Sequence, residues 1–387
     1  MTTRHWSDAW AKITLFISGR FGICVGMCWI GLSLGSAHLV AQDTAPERLP
    51  RDQLLVYRDE HNHIRPVKSV ADWQHRRQEI LRGMQAVMGP LPGPEKLCPL
   101  AVEVLEEVDR GTYIRRKITY QSEPGCRVPA YLCVPKKLLE QSGRTAPAVL
   151  CLHPTDNTVG HGVVVGEGGR ANRAYAHELA ARGFVTLAPN YPLLASYQPD
   201  LKALGWESGT LKAVWDNRRG LDYLCQLPYV RGDKFAAIGH SLGGHNAVYT
   251  AVFEERLAVI ISSCGLDSFL DYYQGDERNW YPERGWCQTR YMPKMAAYRG
   301  RLQAIPFDFH ELIGALAPRW VFIIAPQRDH NFRADSVDRI VQAAQPVFAL
   351  HGYPDRLRVA HPDCEHDFPE EMRLAAYQLI EQVIGTP

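Results

Sequence analysis

Short apolar runs and amphipathic stretches alternate along most of this chain, and their order sets the expected architecture. "VADWQHRRQEILRGMQAVMG" places Val70, Trp73, Ile80, Leu81, Met84, Val87 and Met88 largely on one stripe, which predicts a helix over 70–89. "GPLPGPEKLCP" breaks it, and "AVEVLEEV", "YIRRKITYQS" and "VPAYLCVP" then read as antiparallel strands divided by Asp-Arg-Gly and Glu-Pro-Gly turns. From residue 147 the pattern changes to strand-like runs: "AVLCLHP", "FVTLAPNYP", "FAAIGHS", "LAVIISSCG", "RWVFIIAP" and "LRVAHPD". Helical stretches separate them: "ANRAYAHELAARG", a segment on which Leu211, Val214, Leu221, Leu224 and Cys225 share a face, one after Ser241, one from about Ala334 to Ala344, and finally "PEEMRLAAYQLIEQVI". Gly183, just past "LAAR", is placed as a helix C-cap. This alternation implies an α/β fold, a mostly parallel central sheet with helices on both faces, preceded by a helical and antiparallel extension.

Composition removes several classes of function. With 387 residues, 46% hydrophobic and 22% charged, and a formal net charge of +1, the chain has room for one large α/β domain with appendages. It lacks the basic excess of a nucleic-acid binder, so a small or neutral ligand is the expected partner. The N-terminus differs: Arg4, Lys12 and Arg20 precede "FGICVGMCWIGLSLGSAHLVAQ", and Ala41 stands before Gln42. Residues 1–41 read as an export signal, the alternative being an uncleaved membrane anchor, because the apolar run approaches the ~20 residues that span a bilayer. A periplasmic or secreted protein is expected, touching a membrane only if that segment stays attached. Residues 42–69 read as a linker and 70–387 as one domain. Of ten cysteines, Cys24 and Cys28 lie in the leader, and an oxidising compartment permits disulfides among the rest. Cys151 and Cys264 sit in apolar runs, where a thiol serves as a small buried hydrophobe. No CxxC pair occurs, and neither a metal nor a cofactor is expected.

The candidate chemistry centres on "FAAIGHSLGGHN". A serine at a strand-to-helix corner adopts an unfavourable backbone conformation, so the residues two before and two after must be small, and Gly239 and Gly243 occupy those places around Ser241. The helix that follows would turn its N–H groups toward the hydroxyl. Serine is a weak nucleophile and needs a base, and the base needs a carboxylate to orient it. "RWVFIIAPQRDHNF" supplies Asp329 beyond a late strand, and "LRVAHPDCEHDFPEEM" supplies His366 before the final helix. Asp267, in "VIISSCGLDSF", is the alternative acid. Asp335 and Asp338 read as first-turn helix residues, His361 as a packing or hydrogen-bonding residue, and His240 and His330 as walls. For the oxyanion, Leu242 offers the N–H after the nucleophile. In "LCLHPTDNTVGHG" Pro154 has no N–H, which leaves Thr155, with Asp156 behind it, while His153 reads as a residue holding the loop.

The segments "VMGPLP", "SEPGCRVPAYLCVP", "LCLHP", "VWDNRRGLDYL", "IGHSLGGHN", "IISSCG", "LAPRWVFIIAPQRDHNF" and "HPDCEHDFPEEMR" together resemble the α/β-hydrolases, and among them secreted bacterial hydrolases of the acetylxylan-esterase-like and dienelactone-hydrolase-like groups. The resemblance implies a catalytic triad of Ser241, Asp329 and His366, and a cap inserted between strands 6 and 7 at about residues 266–318. Two departures stand out: dienelactone hydrolases proper use a cysteine nucleophile, and "LHPTDNT" differs from the polar-rich loop of the acetylxylan-like members. The implied function is hydrolysis of a carboxylic ester, of a small molecule or linked to carbohydrate, through an acyl-enzyme. A peptidase of the prolyl-oligopeptidase type is the alternative, although the N-terminal region is short for a propeller. A metal-dependent hydrolase using His361, Asp363 and His366 is a further reading. The cap's Phe269, Tyr272, Tyr273, Trp280, Tyr281, Trp286, Tyr291 and Tyr298 suit packing onto the sheet or stacking on sugar rings, and Arg278, Arg284 and Arg290 suit a solvated surface or a carboxylate.

Overall fold

The structure is a computed structural model describing residues 48–387; the expected export segment and the start of the expected linker lie outside it. A hairpin of β1 (Val56–Arg58) and β2 (Ile64–Pro66) leads into helix α1 (Val70–Met88). Strands β3 (Glu103–Asp109), β4 (Tyr113–Glu123) and β5 (Cys126–Pro135) follow, then short α2 (Lys136–Glu140). The alternating part runs β6 (Ala146–Leu152), α3 (Tyr175–Ala181), β7 (Val185–Pro189), α4 (Gly209–Gln226), β8 (Val230–His240), α5 (Leu242–Phe253) and β9 (Leu257–Ser263). After an insert that ends with α6 (Phe309–Gly314) come β10 (Trp320–Ile324), α7 (Ala334–Leu350), β11 (Leu357–Ala360) and α8 (Glu370–Ile384).

Nine strands form one sheet in the order β11-β10-β9-β8-β6-β7-β5-β4-β3. The pairs from β7 through β6, β8, β9 and β10 to β11 are parallel, and β3, β4 and β5 join antiparallel at the other side. All seven residues of β6 are buried, because both faces of the sheet are covered and neither side of the pleat can be polar. Alternate residues serve opposite cores: Ala148, Leu150 and Leu152 pack with α1, α4 and α5, while Val149 and Cys151 pack with α3 and α8. Strand β3 is the sheet edge and is exposed at nearly every position, with charged side chains at Glu103, Glu106, Glu107 and Asp109.

Three elements differ from the sequence expectation. Helix α3 begins at Tyr175 rather than Ala171, because Asn172 is left-handed (φ 63°) and Arg173 turns inward to Asp367. Helix α7 runs past Ala344 to Leu350 with Pro346 inside it; Val347 and Phe348 continue its buried stripe, which outweighs the hydrogen bond that proline forfeits. Within the expected linker, β1 and β2 pair around a turn in which Asp59 Oδ1 accepts the N–H groups of His61 (3.0 Å) and His63 (2.9 Å). The preceding strap is anchored as well, Arg48 pairing with Glu311 and Arg51 with buried Asp308 at the start of α6.

The insert between β9 and β10 is a series of single turns whose aromatic rings mostly face inward. Phe269, Trp280 and Trp286 are buried, and Phe269 meets Trp280, Phe307 and Phe309 at centroid distances of 5.5–5.9 Å. Tyr273 and Tyr281 remain exposed. The eight cysteines among the described residues are free thiols, and no described helix is long and apolar enough to cross a membrane.

Candidate active site

Ser241 is the single residue between β8 and α5, with φ 55° and ψ −123°, a conformation that costs an L-residue on the order of 1–3 kcal/mol. The surroundings enforce it. Ser241 N–H donates to Ser263 O on neighbouring β9 (2.8 Å), and Ser241 O accepts His245 N–H in the first turn of α5 (3.0 Å). A Cβ on Gly239 would collide with the backbone of Gly243, and one on Gly243 with the Leu152 carbonyl at the end of β6. The chain can cross itself here only with glycine at both positions.

Two loops at the same end of the sheet bring the other expected groups together. Asp329 follows β10 and His366 lies between β11 and α8; His366 Nδ1 and Asp329 Oδ2 are 2.8 Å apart. Asp329 is fixed from behind, its Oδ1 accepting the N–H groups of Asn331 (2.8 Å) and Phe332 (3.3 Å). The His366 loop is fixed from the α3 side, where Arg173 bonds Asp367 Oδ1 (2.5 Å) and His366 O (3.3 Å), and Asn172 bonds Asp367 Oδ2 (2.8 Å). His240, beside Ser241, is buried with its ring centroid 4.9 Å from that of His366 and Nδ1 3.1 Å from Ser263 Oγ. Burial, then the charges of Arg173, His366 and Arg170, hold His240 well below the usual histidine range, so it is a neutral wall.

The competing groups are engaged elsewhere. Asp267 makes no contact with His366; its carboxyl accepts Arg333 N–H at 3.3 Å, and burial pushes its pKa well above the carboxylate range. His361 bridges Ala325 O (2.7 Å) and Asp338 Oδ1 (2.9 Å), and Asp363 pairs with Arg328, so His361, Asp363 and His366 do not assemble into one ligand set. Asp335 lies in the first turn of α7, paired with Arg333 and Arg339. The grouping among the described residues with metal-ligand spacing is Cys264, Asp329 and His366, and it consists of the Asp–His pair plus one buried thiol. Cys264 is indeed buried, but it lies just past β9 with φ 49°, its Sγ 3.2 Å from Asp367 O.

On the opposite wall stands the loop after β6. His153 accepts Tyr191 N–H at Nε2 (2.9 Å), so its Nδ1 carries the proton and donates to Pro154 O (2.7 Å); burial pushes this imidazole down to about 4. Both ring nitrogens are thus engaged in holding the loop. Asp156 Oδ1 accepts the N–H groups of Thr158, Val159 and Gly160 at 2.6–3.2 Å. The N–H groups of Thr155 and Leu242 have no intramolecular acceptor among the described residues. A pocket of about 220 Å³ opens between these walls, lined by Ser241, His366, His240, Thr155, Asp156 and Arg170 among others. Arg170 and Arg173 line the pocket without any local sequence signal, and the cap residue Tyr291 brings its hydroxyl 3.2 Å from Thr155 Oγ1. Of the cap arginines, Arg290 reaches Asn157 Oδ1 of this same loop (2.8 Å), while Arg278 closes on Asp276 at the surface.

The sheet order, the strand-serine-helix corner at Ser241 and the placement of Asp329 after β10 and His366 after β11 match the arrangement of an α/β-hydrolase. Residues 54–264, more than half of the chain, match the abhydrolase family, and the chain belongs to it. Residues 204–352 also match the family described as glucuronyl esterase of fungi. A Bacillus subtilis (strain 168) relative, provisionally named hydrolase YtaP, is 24% identical over 317 residues, which are 79% of this chain and 98% of that one. A glucuronoyl esterase from Solibacter usitatus has the same fold, with a TM-score of 0.63, 19% identity, and coverage of 85% of this chain and 98% of its own. A Bacteroides fragilis structure provisionally named acetyl xylan esterase superposes with a TM-score of 0.54, at 19% identity over 76% of each chain.

Proposed function

We propose that this protein hydrolyses carboxylic esters through an acyl-enzyme on Ser241, with His366 as base and Asp329 as the group that orients it. The 2.8 Å contact between His366 Nδ1 and Asp329 Oδ2 carries the reading, because it leaves Nε2 as the ring nitrogen available to take a proton. In the first half-reaction His366 Nε2 removes the Ser241 hydroxyl proton and Oγ attacks the ester carbonyl. The N–H groups of Leu242 and Thr155 receive the developing oxyanion. Collapse expels the alcohol, which takes the proton from His366. Water, deprotonated by the same nitrogen, then attacks the acyl-serine and releases the acid. Leu242 acts through its backbone, and Thr155 is held in place through Tyr291.

The substrate class proposed is an ester attached to carbohydrate. Matches named for glucuronoyl and acetyl xylan esterases support this. The peptidase reading gains no support, since the described strands form one large sheet and one hairpin with no propeller among the described residues. Export through residues 1–41 belongs to the same proposal. A fluorophosphonate probe is expected to label the protein at Ser241, and Ser241→Ala to lose both labelling and about 10⁴-fold or more of aryl-ester hydrolysis. Labelling that survives the substitution would overturn the assignment. Rates on acetylated polysaccharide, on uronic acid esters and on simple aryl esters would then rank the acyl groups.

A further inference from the structure

Two arginines line the pocket that contains Ser241, and their environments differ. Arg173 is buried and engaged: its Nη1 donates to Asp367 Oδ1 (2.5 Å) and to the carbonyls of Ala171 and Asn172. Arg170 is exposed and has no ion pair or hydrogen bond among the described residues. Three acids close to it in sequence or in the pocket are engaged elsewhere. Glu167, three residues upstream, pairs with Arg115. Asp156, in the pocket lining, gives Oδ1 to three backbone N–H groups, and Asp367 is taken by Arg173 and Asn172. His240 is neutral, and Arg170 is one of the charges that keep it so, which places this guanidinium within electrostatic reach of the corner that carries the nucleophile.

The segment that presents Arg170 is also built for its path. Gly166, Gly168 and Gly169 have φ values of 82°, 112° and 84°, in the region that disfavours any residue with a Cβ. A Cβ on Gly169 would come within 2.6 Å of the Val163 side chain. The chain therefore doubles back over the turn after β6 and delivers a cation without a counter-ion to the rim of the pocket. A planar guanidinium in that state is matched by a carboxylate, which it can grip with two parallel hydrogen bonds.

We propose that Arg170 is a specificity-determining residue that receives a carboxylate borne by the substrate, so that the ester favoured by this pocket is anionic. The proposal rests on the reading of Ser241 as an ester-cleaving nucleophile and adds no covalent step. Its test uses two matched pairs of esters, 4-nitrophenyl hemisuccinate against 4-nitrophenyl butyrate for the acyl side, and 4-carboxyphenyl acetate against phenyl acetate for the alcohol side. Within each pair the ratio of kcat/KM, charged over neutral, is compared between the wild-type chain and Arg170→Gln, which cancels the intrinsic reactivity of the esters. In at least one pair the substitution is expected to lower that ratio about tenfold, the size of an exposed charge-assisted contact. Arg170→Lys should restore part of it, and raised ionic strength should lower the wild-type ratio in the same pair. A ratio that Arg170→Gln leaves unchanged in both pairs, including one where all rates fall equally, overturns the proposal. Failure of the wild-type chain to hydrolyse any of these esters would remove the ester reading itself, and this proposal with it, an outcome distinct from hydrolysis without charge preference.

Discussion

Asp329 and Asp267 lie on successive loops at one end of the sheet, and their surroundings treat them in opposite ways. Asp329 has an imidazole on one oxygen and two N–H groups on the other, which is how a protein stabilises a charged carboxylate. Asp267 has one N–H at 3.3 Å and faces Asp308, Asp271 and Asp329, so burial and like charge together favour its neutral form. A neutral carboxyl gives no electrostatic support to an imidazolium. Asp329→Asn is therefore expected to lower kcat about 10⁴-fold, while Asp267→Asn, which resembles the protonated acid already present, should cost no more than a few-fold. Steady-state kinetics on one aryl ester decides it, and the reverse order would move the acid role to Asp267. That Asp329 meets His366 and that Ser241 shares a pocket with His366 was legible in the sequence, because each residue is marked by its own local pattern and by chain order. Arg170 and Tyr291 were not, because nothing near either residue says that a glycine-rich loop and a cap turn return to the same pocket.

The element that governs the site is the β8–α5 corner. Helix α5 is buried on every side and starts directly at the serine, and the N–H of Leu242, its first residue, has no intramolecular acceptor among the described residues. The close approach of Gly243 to the Leu152 carbonyl ties this helix to the end of β6, the strand that carries the Thr155 loop. Gly243→Ala should accordingly destabilise the protein by about 1–3 kcal/mol by overpacking and lower kcat at the same time, measured by urea unfolding and kinetics together. A variant with unchanged unfolding and rate would mean the corner has slack. Most elements could be placed from periodicity, since β6 to β11 are short apolar runs and α1, α4 and α8 are striped helices. The errors fell where tertiary contacts overrule local preference, at the start of α3, where Arg173 turns toward Asp367, and at the end of α7, where two buried side chains outweigh a proline, and at the β1–β2 hairpin, whose half-buried and exposed residues carry no apolar alternation.

Across the whole molecule, folding buries several histidines in neutral form. Burial lowers His153 to about 4 and His161 and His245 to about 3, and His245 is stacked between Tyr249 and Trp286 at 4.2 Å with no partner on either ring nitrogen. In the unfolded chain these groups take up protons below about 6.5. The unfolded state thus binds more protons from about pH 6.5 downward, and the stability they contribute is complete above that value and falls progressively toward pH 3. Thermal melts between pH 7 and pH 4.5 should show this acid limb, and His245→Phe, which keeps the stack and removes the titration, should make it shallower; an unaltered limb would exclude His245 as a contributor. The strap adds a constraint of another kind. Arg48 and Arg51 find their partners at Glu311 and Asp308, about 260 residues further along, in the helix that closes the cap. A chain emerging N-terminus first, from a ribosome or through a translocon, must therefore carry both arginines unpaired until most of the domain has followed. The latch can close only once residues 308–311 have followed, so it reports that the cap has arrived.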